Sequence, residues 1–204
     1  MFKKVLLVAA VALSTTAFAD GFYAGAGLGG SSLHVKLTDS GNNHSGNYGS
    51  TDVVGGLLGG YSFNMANQVN LGVEAFFNGT SDKISQTNAN GSSDVKLRYN
   101  YGVRVLPGYQ LTPDTDMHLI AGYVRGNFKF DSSDTDSSAS PHYNRNGYQA
   151  GFGLGTNVDK NVFLRADMIY SGYNKISGNN EDSQAVSLKA NTLDAIVSGG
   201  VKFG

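Results

Sequence analysis

The sequence contains no cysteine and no tryptophan, and only 3 of its 204 residues are proline. Without cysteine the chain has no disulfide framework, no thiolate metal site, no thiol nucleophile and no N-terminal lipoprotein cysteine. Charged residues make up 15% of the chain, against roughly 25% in an average globular protein. The net charge of -1 fits neither a basic nucleic-acid-binding protein nor an acidic disordered chain. Glycine, by contrast, is abundant at 28 residues, and tyrosine and phenylalanine reach 11 each.

The N-terminus has the pattern of a secretory signal peptide. Lys3 and Lys4 precede the apolar run Val5–Leu13, and Ala17-Phe18-Ala19 places small residues where a signal peptidase cuts. The alternative is a membrane anchor, but this run is too short to span a bilayer, which takes about 20 residues. We therefore predict a cleaved signal peptide at residues 1–19 and one mature domain at residues 20–204, exported from the cytoplasm.

The mature chain alternates apolar with polar or glycine residues in segments of about ten residues, which is the pattern of β-strands. No window shows a comparable helical stripe. Glycines leave the register of residues 53–63 open. The eight predicted strands are Phe22–Ser31, Val53–Phe63, Val69–Asn78, Val95–Leu111, Met117–Val124, Tyr148–Gly155, Val162–Tyr170 and Leu193–Phe203.

The connections between these strands alternate between short and long. Three are tight and rich in Asn, Asp and Pro, as turns require: Asn64–Gln68, Thr112–Asp116 and Asn157–Asn161. Four are long and polar: Leu37–Thr51, Thr80–Asp94, Asp131–Asn146 and Ser171–Asn191. This arrangement predicts an all-β fold, an eight-stranded antiparallel up-and-down barrel whose first and last strands pair and close the sheet.

The distribution of charge between the two strand faces predicts the solvent around the barrel. One face of each strand is apolar, while the other carries charged residues such as Glu74, Arg104 and Arg165 among glycines. An Arg or Lys facing the middle of a bilayer would cost about 2–4 kcal/mol. An apolar belt facing water would be an exposed patch of a size that soluble monomers avoid. We therefore expect a transmembrane barrel with charges inside and apolar side chains in lipid, located in the outer membrane.

Aromatic residues fall toward the strand ends, where transmembrane barrels carry girdles at the level of the lipid headgroups. The alternative explanation is the high strand propensity of tyrosine. The predicted girdle residues are Tyr23, Tyr61, Phe63, Tyr109, Tyr123, Tyr170 and Phe203.

Several short motifs, in order and at barrel spacing, resemble the OmpA-type family of eight-stranded outer-membrane barrels, which includes opacity-type and OmpX-like members. They are the first strand Gly21–Gly27, Gly59-Gly60-Tyr61, Leu71-Gly72-Val73-Glu74, and Gly200-Val201-Lys202-Phe203-Gly204. We expect the chain to depart from full-length OmpA in lacking the periplasmic peptidoglycan-binding domain. It also places the terminal phenylalanine one residue inside the end, at Phe203. The resemblance implies contacts with outer-membrane lipids, lipopolysaccharide and the assembly machinery.

Six charged residues are predicted to face the barrel interior: Glu74, Arg98, Arg104, Arg165, Asp167 and Lys202. The resemblance implies that they correspond to the family's interior ion-pair cluster, with a glutamate on the third strand and basic residues across the lumen. One interpretation is a gate whose exchange of partners opens a narrow water path. The other is a static polar plug, since the interior of an eight-stranded barrel is filled by side chains.

Neither a catalytic site nor a metal or cofactor site is predicted. A lipid-modifying barrel enzyme needs a His with a Ser and an acid at the lipid boundary. His118 has no Ser beside it on its face, and His34 follows Ser31-Ser32 without a placeable carboxylate. We expect a non-enzymatic monomer that binds no nucleic acid. It would act as an envelope structural protein or touch host surface molecules through its long loops, and a narrow ion channel is the alternative.

Overall fold

The structure, a computed structural model, describes residues 21–39, 44–65, 68–80, 83–88, 91–134, 137–139, 142–179 and 185–203. The predicted signal peptide and Gly204 lie outside these residues. The described residues form β-strands and turns, and no helix that could cross a bilayer is found in this part of the chain. The strands are β1 (Phe22–Asp39), β2 (His44–Asn64), β3 (Val69–Thr80), β4 (Lys83–Asn88), β5 (Gly91–Gln110), β6 (Thr115–Asp134), β7 (Ser137–Ala139), β8 (His142–Asp159), β9 (Val162–Tyr173), β10 (Ile176–Asn179) and β11 (Ala185–Phe203).

Eight of these strands form a closed antiparallel barrel in the order β1-β2-β3-β5-β6-β8-β9-β11. The closing pair is β1 with β11, which begins at Phe22 opposite Phe203 and runs to Asp39 opposite Val186. Closure gives every barrel strand two neighbours, as a membrane requires, because unpaired backbone groups are costly in lipid. The predicted all-β, eight-stranded barrel is confirmed.

The three predicted tight turns are also confirmed. They connect β2 to β3, β5 to β6 and β8 to β9 at one end of the barrel, and both ends of the sheet-forming chain lie at that end. We call it the short-turn end, and the other the long-hairpin end.

The four long connections differ from the prediction because much of each is strand. The first hairpin stays paired as far as Asp39 opposite His44, and β5 and β6, which a short turn joins at the other end, stay paired as far as Ser92 opposite Ser133. The short strands β4, β7 and β10 lie in the other hairpin ends and pair with β5, β6 and β11. Backbone pairing continues here although the outer face is polar, because a ladder needs only its backbone hydrogen bonds.

The side chains alternate between lipid and lumen along the barrel strands, as the sequence predicts. On β2, where glycines left the register open, Val53 is 61% exposed and Val54 only 1%. Large apolar side chains with the same outward orientation recur around the barrel, among them Leu28, Val103, Leu119, Phe152, Leu164 and Val197. They form a belt that would contact acyl chains.

Candidate functional site in the barrel interior

Glu74 on β3 lies at the centre of a buried group of charged side chains. Arg104 faces it across the β3–β5 pair and donates a hydrogen bond from Nε to Oε1 at 2.7 Å. Arg165 on β9 donates to the same carboxylate through Nη1 and Nη2, at 2.8 and 3.1 Å. Since β3 and β9 are four strands apart in a ring of eight, one carboxylate links opposite walls of the barrel.

Asp167 extends this group toward β6. Its Oδ2 lies 2.8 Å from Arg165 Nε and 4.0 Å from Arg104 Nη2, and its Oδ1 lies 2.9 Å from His118 Nε2. The other ring nitrogen of His118 lies 3.3 Å from Asp116 Oδ2.

Tyr23 on β1 completes the arrangement by donating a hydrogen bond to Glu74 Oε2 at 3.0 Å. Five of the eight barrel strands, β1, β3, β5, β6 and β9, therefore contribute to one connected group. We call this group the interior cluster; it consists of Tyr23, Glu74, Arg104, Asp116, His118, Arg165 and Asp167.

Glycines on the interior face make room for these long side chains. A Cβ at Gly153 would lie 2.6 Å from His118 Nε2 and would also overlap Asp167 Oδ1. A Cβ at Gly122 would lie 2.6 Å from the Cβ of Arg104, and one at Gly60 would lie 2.7 Å from the ring of Tyr23. Glycine is required at these positions because of space, and not because of backbone conformation.

The centre of the interior cluster is nearly inaccessible to solvent, with Glu74 only 1% exposed and Arg104 5%, whereas Tyr23 and Asp116 at its edge are partly exposed. The two carboxylates of this centre, Glu74 and Asp167, balance the two guanidinium groups of Arg104 and Arg165. Arg104 also lies over the ring of Phe76, with its Cζ 5.0 Å from the ring centre. Ions in such surroundings are tolerated only when they are paired, because removing one partner of a buried pair costs about 3–5 kcal/mol.

Four of the six predicted interior charges, Glu74, Arg104, Arg165 and Asp167, meet in this cluster, and the other two do not. Arg98 is exposed because a β-bulge between Leu97 and Tyr99 interrupts the β5–β6 register and changes which residues face inward. Lys202 lies at the short-turn mouth, exposed, and donates from Nζ to Asn157 Oδ1 at 2.7 Å. Within the described residues it forms no ion pair with a member of the cluster.

Sequence reasoning missed Tyr23, Asp116 and His118 as members of the cluster. Their alternation along β1 and β6 places all three on the interior face, so their orientation was predictable. Their partners were not, because the contact between His118 and Asp167 depends on the stagger of strands around the barrel, which alternation does not determine.

Six of the seven predicted girdle residues lie on the outer face: Tyr61, Phe63, Tyr109, Tyr123, Tyr170 and Phe203. Tyr23 does not, because the alternation of β1 turns Phe22 outward and Tyr23 into the lumen. Phe22 takes that outer place and packs edge-on against Tyr61, with ring centres 4.7 Å apart. Aromatic contacts therefore occur on the outer surface at the short-turn end.

A cavity of about 180 Å³ lies between the interior cluster and the short-turn end. Its lining is largely polar and includes Asn70, Gln110, Asp116, Asn157 and Lys202, with Arg165 and His118 contributing from the cluster. The cavity therefore gives solvent access toward the cluster from one side.

On the other side of the cluster the interior contains two apolar groups beside buried polar side chains such as Asn100 and Gln149, and the sequence analysis did not predict the apolar groups. Moving along β6 and β9 away from the short turns, the next inward residues after His118 and Asp167 are Ile120 and Ile169. They belong to a first apolar cluster, made of Val54, Leu106, Ile120, Ile169 and Ile196. A second apolar cluster extends from Phe76, beside Arg104, toward the long-hairpin end; it is made of Leu33, Val35, Phe76, Leu97, Val124, Phe128, Tyr173 and Ala190.

A comparison with curated protein sequences finds no significant match. Among solved structures, OprG of Pseudomonas aeruginosa is 10% identical, with 93% of this chain and 99% of that chain covered and a TM-score of 0.55. Neisserial surface protein A is 18% identical, with 91% and 99% covered and a TM-score of 0.48.

A third structure is that of Ail, the attachment invasion locus protein of Yersinia pestis. It is 19% identical, with 88% of this chain and 99% of that chain covered and a TM-score of 0.41. Ail has also been solved in complex with the heparin analogue sucrose octasulfate. At these identities the likenesses concern the fold alone.

The family is shown by the sequence itself. The family model described as outer membrane protein beta-barrel domain matches residues 5–199, which is nearly the whole chain. With the closed barrel, the apolar outer belt and the buried interior charges, this match establishes that the chain belongs to the outer membrane protein beta-barrel domain family.

Proposed function

We propose that this protein is a non-enzymatic, closed barrel that serves the envelope as a structural and surface-interaction protein. The observation that carries the proposal is the filled interior. The ion pairs of the interior cluster, the two apolar clusters and further buried polar side chains fill the lumen together, and each cluster draws residues from at least five strands. Water and ions would have to pass these buried side chains, and the polar ones hydrogen-bond to each other, as Asn78 does to Asn100 and Gln149 to Ser171.

The hairpins at the long-hairpin end support the surface role. Pairing of β1 with β2 and of β5 with β6 continues well past the apolar belt, so that strand backbone extends beyond the lipid. A projecting paired hairpin can present side chains with less loss of conformational entropy than an unstructured loop. We propose outer-membrane lipids, lipopolysaccharide and host surface molecules as the partners, with folding assisted by the assembly machinery. The proposed mature chain is a monomer that starts at residue 20.

The alternative is a narrow channel gated by the interior cluster, and planar-bilayer recording separates the two. We expect no discrete conductance steps from the reconstituted protein. The control is a variant in which two residues of the first apolar cluster are replaced by serine, Ile120→Ser with Ile169→Ser. This variant should conduct if those side chains help to close the lumen. Steps in the wild-type protein that disappear in Glu74→Ala would contradict the closed scaffold and support the channel.

A lipid-modifying enzyme was the third possibility. Ser32 Oγ lies 3.3 Å from His34 Nε2 on the outer face, but no carboxylate in the described residues hydrogen-bonds to His34. A dyad without an orienting acid is a weak basis for catalysis. We propose that the pair is a polar contact at the membrane boundary. Mass spectrometry of lipid A from cells with and without the protein tests this, and a lost acyl chain that depends on Ser32 would overturn it.

The surface role is tested by shortening one hairpin within its register. Removing residues 36–39 and 44–47 takes matched lengths from β1 and β2 and leaves Val35 opposite Tyr48. Bacteria that express this variant should attach to cultured epithelial cells several-fold less than those with the full chain, while the barrel still shows heat-modifiable migration. A second comparison uses bacteria that lack the whole protein. If they attach to epithelial cells and survive detergent as well as bacteria that have the protein, the proposed role is wrong.

A further inference from the structure

The β-bulge in β5 changes the direction of two cations. Strict alternation with Asn100 and Arg104 would place Lys96 and Arg98 in the lumen. Because the bulge inserts Arg98 as an extra residue, Leu97 faces inward opposite Phe128 and both are buried. Arg98 is exposed and Lys96 moves to the outward positions of the strand. Bulges commonly re-aim side chains in this way, often beside a functional site.

The bulge lies at a defined depth on the outer surface of the barrel. The outward residues of β5, followed from the short-turn end, are Val105, Val103, Tyr101, Tyr99 and Arg98. Tyr99 stacks between Phe77 and Tyr101, with ring centres 5.7 and 6.5 Å away. Apolar, aromatic and then cationic residues are the order expected across the boundary between hydrocarbon and lipid headgroups.

The neighbouring strand β6 repeats this order. Its outward residues pass from Leu119 through Tyr123 to Arg125. Arg125 lies opposite Tyr101 in the register, and Lys129 lies opposite Lys96. Four cations, Lys96, Arg98, Arg125 and Lys129, are thus brought to one outer face immediately above the stacked aromatic residues. We call this group the basic patch.

We propose that the basic patch binds the phosphate groups of lipopolysaccharide in the outer leaflet. This proposal rests on the proposed contact with lipopolysaccharide and assigns that contact a site. Guanidinium groups bind phosphate through paired hydrogen bonds. The stacked aromatic residues on the membrane side of the patch would contact the sugar and acyl regions of the same lipid. The nearest acidic positions in the same register, Asp94 opposite Asp131, lie farther from the membrane. Arg98 and Arg125 lie on the membrane side of that acidic pair.

The opposite side of the barrel provides a matched comparison. Lys36 and Lys189 are exposed, lie opposite each other on β1 and β11, and are also at the long-hairpin end. The residues before them toward the membrane are His34 and Asn191 rather than stacked tyrosines. The same number of charges can therefore be removed at the same end of the barrel with no change to the basic patch.

The test uses the mature chain folded in a neutral detergent and titrated with lipid A, with binding followed by native mass spectrometry. The ligands are bisphosphorylated lipid A and the same lipid with its phosphates removed. We expect the bisphosphorylated form to bind at least tenfold more tightly. Arg98→Gln with Arg125→Gln should abolish that difference, whereas Lys36→Gln with Lys189→Gln should change it less than twofold. Heat-modifiable migration verifies that each variant is folded.

Three outcomes would overturn the proposal. Equal affinity for the two lipids would mean that phosphate is not recognised. An equal loss in both double variants would mean that general charge attraction acts without a site. If millimolar inorganic pyrophosphate competes as effectively as lipid A does, the patch binds an adventitious ion only. The conductance and attachment experiments are independent of all three, so failure here leaves the proposed scaffold function standing.

Discussion

Glu74 and Arg165 are 91 positions apart in the sequence, yet two hydrogen bonds of 2.8 and 3.1 Å join them across the lumen. Arg104 binds the same carboxylate from the adjacent strand. A single acidic side chain therefore pairs with two cations and links opposite walls of the barrel. The importance of this residue for stability follows directly from that geometry.

Replacement of Glu74 by Gln should destabilise the barrel strongly. The substitution keeps the size of the side chain but leaves Arg104 and Arg165 with only Asp167 as a nearby buried anion. Loss of one partner from a buried ion pair costs about 3–5 kcal/mol. The free energy of unfolding, measured by urea titration in lipid vesicles, should fall by that amount.

A compensated variant serves as the control for Glu74→Gln. The double change Glu74→Gln with Arg165→Met removes one charge of each sign, so it should recover part of the lost stability. A double variant that is less stable than Glu74→Gln by the full cost of Arg165→Met alone would show that the two residues act independently. It would contradict the central role of the Glu74 carboxylate.

Substitution of Gly153 by Ala should disturb the same cluster without changing any charge. The added Cβ would overlap Asp167 Oδ1 and lie 2.6 Å from His118 Nε2, so one of these side chains must move. Overpacking of this kind costs about 1–3 kcal/mol. At Gly59, on the outer face of β2, a Cβ would meet only the backbone oxygen of Tyr23 at 3.7 Å.

Gly59→Ala is therefore the control for Gly153→Ala. Both substitutions add one methyl group to a barrel strand, but only one of them adds it to a filled interior. Unfolding in lipid vesicles should show a loss of stability for Gly153→Ala and little change for Gly59→Ala. Equal effects would indicate that strand propensity, and not contact with the cluster, determines the result.

Phe76 and Phe77 allow a comparison of the two faces at adjacent positions. Phe76 is 5% exposed, lies beneath Arg104 and belongs to the second apolar cluster, whereas Phe77 is 49% exposed on the outer face. Phe76→Leu leaves a partial cavity and removes the cation–π contact, so it should cost about 1–3 kcal/mol. Phe77→Leu should cost clearly less, because fluid acyl chains can fill the space that it leaves.

The same urea titration in vesicles measures both phenylalanine variants. A loss at Phe77 as large as that at Phe76 would argue that the second apolar cluster is not rigidly packed. That result would also weaken the proposal that the barrel is closed, since a loosely filled interior admits water.

The sequence predicted the barrel itself because its outer face must be apolar over the depth of the membrane. Alternation at positions such as Val103 and Val105 therefore predicts that the segment is a strand, which of its faces points outward, and that this face contacts lipid. It also placed Glu74, Arg104, Arg165 and Asp167 in the lumen. It could not predict their pairing, because contacts across the lumen depend on strand stagger, which is set by the whole ring.

Two other features could not be predicted from the outward apolar alternation. On β1 the hairpin extension keeps the period of two but moves the apolar residues to the inner face, where Leu33 and Val35 are buried while Lys36 is exposed. The bulge at Arg98 consists of one additional residue in β5, and an uninterrupted alternation fits the surrounding letters equally well. Only the pairing with β6, which continues from Leu97–Phe128 to Tyr99–Asn127, shows that Arg98 has no opposite residue.

Deletion of Arg98 tests this interpretation of the bulge. Because Arg98 has no opposite residue, its removal should join Leu97 directly to Tyr99 and leave every other pair of β5 and β6 in register. The shortened chain should fold with a yield close to that of the full chain, as judged by heat-modifiable migration.

Deletion of Val103 from the same strand is the matched control. That deletion shifts the pairing by one residue and reverses inward and outward side chains on one side of the cut, which would place Arg104 or Tyr101 in the wrong solvent. Folding should then fail or fall many-fold. If both deletions prevent folding to the same extent, Arg98 is a paired strand residue, and the outward direction assigned to Lys96 is wrong as well.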